Sequence, residues 1–385
     1  MRFARAAVFL AAVSLVAAIA VSGDETTDRP VPRGLPGPAL AEDPGWLDRA
    51  RPLGRRAPSW ARRMYRQSLL VLRAATDPRT GAVVAGAPPG WAYVWPRDAG
   101  TVAVALAEAG YRREARHIAR FLLRLDLDAA ARFYADGEPV EGRAAQGDAA
   151  GWAAVAAGAA GLSRRPGVLA RGARPDPRAS PGDPRPHQWH GRADYQEKDP
   201  GDYLGNAIAG GESASRIRGA FARGGLLVRE AGDESSGLDT AAAWAVRPFP
   251  RPALFPLIRR TLLALAERSG RFGLLPSENW EGGEDPWTAP TAWTAWSLAA
   301  LARWDRRRGR PAPARRERRA ALRLVATLRR AATARGLLPE RIDAETGAPR
   351  STTPLAWSHA FAVLALRELW PEWRRPRDPP VVRHP

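Results

Sequence analysis

Segments 99–110, 149–161, 291–302 and 354–366 are small or apolar at nearly every position. A helix of that kind has no wet face and must be covered on every side. Next to these segments lie others that are apolar on one side alone. In 111–125, Ile118, Phe121, Leu122 and Leu125 share one side, and Arg112, Arg113, Arg116 and Arg120 oppose them. Segments 253–268 and 314–334 read in the same way. Buried helices alternating with half-wet ones call for two concentric layers, an inner ring enclosed by an outer one. The chain is therefore expected to be all-α, a toroid of helical hairpins. Its helices are predicted at 61–75, 99–110, 111–125, 149–161, 203–223, 237–247, 253–268, 289–304, 314–334 and 354–370. No convincing alternating strand is visible.

The 385 residues, 45% of them hydrophobic, supply a core for one large domain or two ordinary ones. The formal charge of +19 suggests nucleic acid, yet Lys198 is the only lysine. Arginine is inflated together with Ala, Gly and Pro, which marks a compositional bias. Its clusters, such as Arg315 to Arg319, lie on helix faces that solvent explains, so no nucleic-acid partner is expected. The absence of cysteine excludes disulfides and thiolate chemistry. Most of the 15 Trp are expected to fill the core.

Arg2 and Arg5 precede a run from Ala6 to Val21 that is apolar apart from Ser14, and Ser22 and Gly23 follow. This reads as a secretory signal over 1–22, cleaved or kept as an N-terminal membrane tether. Export is expected in either case, as a monomer. Residues 23–43 read as a linker, 44–375 as the folded domain and 376–385 as a tail. The Pro- and Gly-rich stretch 163–193 is too long for a simple connection.

The sequence lacks a Gly-x-Ser-x-Gly elbow, a phosphate loop, a His-Glu-x-x-His pair and a dinucleotide glycine pattern. No metal site or cofactor is expected. Carboxylates in aromatic, loop-rich surroundings remain, at four places. Trp95-Pro96-Arg97-Asp98 precedes an inner segment, where Asp98 suits a helix cap and Trp95 suits a sugar ring. Asp194-Tyr195-Gln196-Glu197 also leads toward a helix. The third runs from Gly273-Leu274-Leu275-Pro276-Ser277-Glu278 to Trp287, and the fourth from Gly336-Leu337-Leu338-Pro339-Glu340 to Trp357-Ser358-His359. The last two share Gly-Leu-Leu-Pro, an acid one or two residues on, and a Trp-rich inner segment. That repeat predicts Glu278 and Glu340 at one mouth of the ring.

Over residues 60 to 371, in order, these motifs resemble the glucoamylase and glucodextranase group, glycoside hydrolase family fifteen. The resemblance implies an (α/α)6 barrel and an inverting hydrolase that removes glucose from non-reducing ends of α-linked oligosaccharides. Trp95-Pro96-Arg97-Asp98 is similar to the segment that holds the terminal sugar. The general acid then falls on Glu197, with Glu278 or Asp194 as alternatives, and Gln196 stands where the family has Trp. Gly282-Gly283-Glu284-Asp285-Pro286-Trp287 is similar to a loop lining the mouth. Leu338-Pro339-Glu340 with Leu355-Ala356-Trp357-Ser358 implies Glu340 as general base. Glu278 and Trp357 complete the expected substrate contacts. The alternative is an exported sugar-binding or envelope protein that keeps the barrel without the chemistry.

Overall fold

A computed structural model describes residues 44–87, 90–162, 190–193 and 196–372, and for 190–193 and 196–201 it describes the backbone path. Six helical elements form an inner ring: Pro96–Ala109, Ala149–Ala159, Leu204–Ala209, the 3-10 helix Thr240–Ala245, Thr288–Arg307 and Ala356–Leu369. Each touches the next, and the last touches the first, so the ring closes. Every residue of Leu204–Ala209 and of Thr240–Ala245 is buried, as is all of Pro96–Ala109 except Glu108. Outside them lie Ser59–Ala74, Arg112–Leu122, Ala214–Phe221, Phe255–Glu267 and Pro311–Ala331. Each of these buries one apolar stripe and leaves its other face to arginine. The all-α two-layer toroid is the fold that the alternating pattern predicts.

Small residues let the inner helices approach closely. A Cβ on Gly100 would lie 2.8 Å from the Trp152 carbonyl oxygen, and one on Gly151 only 2.2 Å from that of Ala209. The barrel axis is filled by aromatic rings from four inner elements. Trp152 meets Trp244 edge to face at 5.2 Å, Trp244 meets Trp293 at 5.5 Å, and Phe361 meets Trp293 at 5.5 Å and Trp152 at 6.2 Å. Such pairs contribute roughly 0.5–1.5 kcal/mol each beyond their buried area. These Trp residues are core filler, as expected of most of the 15.

The structure departs from the sequence reading around residues 190 to 250. The expected helix at 203–223 is two helices, because Gly210-Gly211 ends the first and Gly211 takes a left-handed φ of 94°. Ser213 then caps the second, its hydroxyl accepting from the Arg216 amide at 3.3 Å. The expected helix at 237–247 is six residues of 3-10 helix. Strands are present: His190–Ala193 pairs antiparallel with Gln196–Asp202, and Ala222–Arg223, Leu226–Glu230 and Asp233–Leu238 form a small antiparallel sheet. They run two to seven residues, too short for alternation to declare itself. The expected signal 1–22, linker 23–43, tail 376–385 and most of the 163–193 stretch lie outside the described residues. Among the described residues no helix is long and apolar enough to cross a membrane.

Candidate active site

Four of the inner elements are each followed by an outer helix that returns along the wall, so the starts of the inner helices gather at one end. Side chains from three of those starts, and one from a loop, meet there. Trp95 is extended and Pro96 opens the first of these helices, a position where the missing N–H costs nothing. Asp98 sits inside the first turn, not at the cap that the sequence suggests. The Arg97 side chain is 5% exposed and crosses to the start of the next inner helix. Its Nη1 donates to Gln146 Oε1 at 3.1 Å and to Asp148 Oδ2 at 3.2 Å. Its guanidinium lies 4.7 Å from the Trp357 ring centroid on the last inner helix, and its Nη2 is 3.8 Å from Asp98 Oδ2. Burial pushes the Asp98 carboxyl up to about 6, with Arg97 opposing and the Asp148 charge adding to the rise.

Glu340 belongs to the same cluster. It is 5% exposed, and burial pushes its carboxyl up to about 7. The Ser351 hydroxyl donates to it and Arg341 lies 4.0 Å away, both opposing the rise, while the charge of Asp98 adds to it. The two carboxyl groups therefore sense one another across the mouth. Desolvation, the dominant cause, is what makes a carboxylate basic enough to take a proton near neutrality.

The Gly-Leu-Leu-Pro repeat is real in three dimensions. In each copy the loop docks on the threonine that opens an inner element. Pro276 O accepts from Thr240 N at 3.1 Å and Thr240 Oγ1 at 2.6 Å. Pro339 O accepts from Thr288 Oγ1 at 2.5 Å, and Glu340 O from Thr288 N at 3.1 Å. Matched by the acceptor of the threonine N–H, Glu340 corresponds to Pro276 and Arg341 to the buried Ser277, so Glu278 is two positions out of step. Glu278 accordingly faces Arg268 at the end of an outer helix, 3.2 Å away, and accepts from Leu238 N at 3.2 Å. It is not joined to the Arg97–Asp98–Glu340 cluster by any contact among the described residues.

The other expected site residues divide in the same manner. Trp95 is buried among Trp91 at 5.9 Å, Tyr93 at 6.3 Å and the Arg132 guanidinium at 5.7 Å. Trp287 is half-buried and immediately precedes an inner helix, its backbone bridging Leu274 and Arg341 and its ring edge-on to Trp280 at 5.6 Å. The Nε1 groups of Trp287 and Trp357 have no acceptor among the described residues. Glu197 lies on the Gln196–Asp202 strand, so the helix start expected at that point is replaced by a hairpin. That hairpin touches the inner helix Leu204–Ala209, and Tyr203, which opens the helix, pairs with Glu230. Asp194 lies outside the described residues.

Gln146 and Asp148 are missing from the sequence reading. A polar pair ahead of an Ala-rich helix reads as capping, and nothing local signals that Arg97 will claim both side chains. Asp148 Oδ1 is buried and has no donor among the described residues. Among the described residues no group of three His, Asp or Glu could hold a metal ion.

A family model described as glycosyl hydrolases family 15 matches residues 60–134, the span that contains Trp95-Pro96-Arg97-Asp98. No curated protein sequence matches the chain. Among solved structures, a wild-type glycosidase superposes with a TM-score of 0.58 at 21% identity, over 86% of this chain and 99% of that one. The glucoamylase of Hormoconis resinae gives 0.60 at 15% identity, over 82% of this chain and 74% of that one. A bacterial glucoamylase complexed with acarbose gives 0.62 at 17% identity, over 84% of this chain and 57% of that one. The fold is thus the (α/α)6 barrel of the glucoamylases. The chain thus shares its barrel with the glucoamylases, and its residues 60–134 resemble the glycosyl hydrolases of family 15.

Proposed function

We propose that the protein is an exo-acting, inverting glycosidase that releases glucose from the non-reducing end of α-linked gluco-oligosaccharides, with Glu340 as general base and Glu197 as general acid. The observation that carries this reading is a buried Glu340, its carboxyl raised to about 7, beside the Arg97–Asp98 pair. Hydrolysis needs one carboxyl group to protonate the departing oxygen and a second to take a proton from the attacking water. Inversion requires the two to stand about 6.5–9.5 Å apart, leaving room for that water. Arg97 and Asp98 bind hydroxyls of the terminal sugar, and the unpaired Trp357 N–H offers a further donor. Trp95 and Trp287 line the mouth, and Glu278 assists from the rim through Arg268. An N-terminal export signal places the enzyme outside the cytoplasm, acting as a monomer.

The test is glucose release from maltose, isomaltose, trehalose and dextran, with the anomer followed by NMR. Release of β-glucose from an α-linked substrate supports the reading and identifies the linkage. Silence across the panel from folded protein, together with sugar binding, would replace it with a non-catalytic barrel, which Gln196 beside Glu197 favours.

Two expectations follow from the cluster. Arg97→Lys keeps the charge and loses the planar fork that spans Gln146, Asp148 and Trp357. Loss of hydrogen bonds to a charged group lowers kcat/KM by about 10–100-fold, read in steady-state kinetics. An unchanged value would remove Arg97 from substrate binding. The base works only when ionised, so the acid limb of kcat/KM belongs to Glu340. Its midpoint lies well above the usual carboxylate range, toward about 7. A midpoint near 4 would exclude a desolvated base.

A further inference from the structure

His359 is completely buried in the first turn of the last inner helix, two residues after Trp357. Nothing in the proposed chemistry uses it, yet both ring nitrogens are engaged. Nε2 accepts the Leu338 backbone N–H at 2.9 Å, and Nδ1 lies 2.9 Å from Ser68 Oγ on an outer helix. An acceptor Nε2 leaves the proton on Nδ1, which then donates to the serine. Burial holds the ring's pKa down to about 3, so the imidazole remains neutral through ordinary pH.

The partner of that ring is the segment carrying Glu340. Every backbone polar group from Leu338 to Glu340 has one assigned partner. The Leu338 carbonyl accepts from Leu355 N at 3.0 Å, the Pro339 carbonyl from Thr288 Oγ1 at 2.5 Å and the Glu340 carbonyl from Thr288 N at 3.1 Å. The Glu340 N–H donates to Thr352 O at 3.0 Å. Only the Leu338 N–H depends on an ionisable side chain, and a buried N–H left unpaired is strongly disfavoured. In the sister loop the amide in the same place is Leu274, whose carbonyl accepts from Trp287 N at 2.8 Å and whose N–H goes to Thr291 Oγ1 at 2.9 Å, so an imidazole in this place is particular to the copy bearing the base.

We propose that His359, oriented by Ser68, is a positioning residue that holds the Leu338–Pro339–Glu340 backbone and so keeps the Glu340 carboxylate aimed at the site. The inference rests on Glu340 being the base. Its measure is rate and not sugar affinity, because Arg97, Asp98 and Trp357 do not depend on this link.

The experiment compares wild type, His359→Gln, His359→Leu and Ser68→Ala on the α-linked substrate that wild type cleaves. Gln can accept from Leu338 and donate to Ser68, whereas Leu can do neither. His359→Leu is expected to lose kcat by about 10²-fold, the scale of a misplaced catalytic group, with KM within about twofold and the acid limb displaced. His359→Gln is expected to recover most of kcat, and Ser68→Ala to show a smaller loss in kcat alone. A folded His359→Leu with wild-type kcat, or a Gln variant no better than Leu, overturns the proposal. Should Leu prevent folding, the contrast between Gln and Ser68→Ala decides. Two readings need no turnover: a ¹⁵N spectrum of the imidazole showing Nδ1 protonated, and faster hydrogen exchange at the Leu338 amide in Ser68→Ala. An Nε2-protonated ring or unchanged exchange overturns the positioning even if wild type cleaves nothing. Loss of activity in wild type with both readings as expected would instead overturn the base assignment.

Discussion

Glu340→Gln is expected to lower kcat by about 10²–10⁴-fold, the usual worth of a general base, while the folded protein becomes no less stable. The side chain is buried beside Asp98, and both carboxyl groups are raised, to about 7 and about 6. Gln has the same shape and no charge to desolvate. Its Oε1 can still accept the Ser351 hydroxyl that now bonds to Glu340. The sign of the pH dependence follows from the raised value. The folded state holds the Glu340 proton more tightly than the unfolded chain does, so this group favours folding at low pH. That contribution is lost as pH rises from the unfolded value near 4 through about 7. Calorimetry at pH 4.5 and 7.5 should therefore show a smaller fall in Tm for Glu340→Gln than for wild type. Retention of most activity would remove Glu340 from the mechanism, and a variant much less stable at both pH values would make the carboxyl structural.

The two layers were legible because burial leaves a compositional trace. Residues 99–107 of Pro96–Ala109, enclosed on all sides, have nowhere to put a charged residue, and Arg112–Leu122 has one face on which it must. The ring's two shortest inner elements were not recognised as inner, since six residues are too few to show a period. Arg97, Asp98, Glu340 and Trp357 could be named from motifs, and the structure brings these four together. Glu278 was drawn into the same group by counting acids after Gly-Leu-Leu-Pro. Only the docking on the opening threonines reveals that Pro276 stands where Glu340 does, its carbonyl taking the Thr240 N–H as that of Glu340 takes the Thr288 N–H, two residues before Glu278. Asp148 and His359 were illegible for a different reason. Each acts through a partner far away in sequence, Arg97 and Leu338 respectively, and neither residue carries a local pattern that announces the pairing.

The largest stability loss is expected at the opposite end of the barrel from the site, on Arg259→Met. Asp305 lies 17 residues beyond Thr288 on one inner helix, roughly 25 Å along its axis. There Asp305 and Glu317 are fully buried, and Arg259 bonds to both, its Nη2 2.5 Å from Asp305 Oδ2 and its Nε on Glu317 Oε1. Arg310 supplies a second partner to Asp305, whereas no cation but Arg259 pairs with Glu317 among the described residues. Burial pushes the Glu317 carboxyl up to about 7 even with Arg259 in place, and the charge of Asp305 adds to the rise. Met keeps much of the apolar stem and removes the charge, leaving two buried carboxyl groups with one guanidinium between them. Breaking a buried pair in this way costs about 3–5 kcal/mol, to be read from urea unfolding. The double variant Arg259→Met with Glu317→Met separates the two contributions to that loss. Both charges are then gone from the Glu317 side, and the pair can be replaced by packing at little cost, so much of the lost stability should return. A double variant as unstable as Arg259→Met alone would show that the loss came from the arginine's packing or from its contact with Asp305, and not from an uncompensated Glu317.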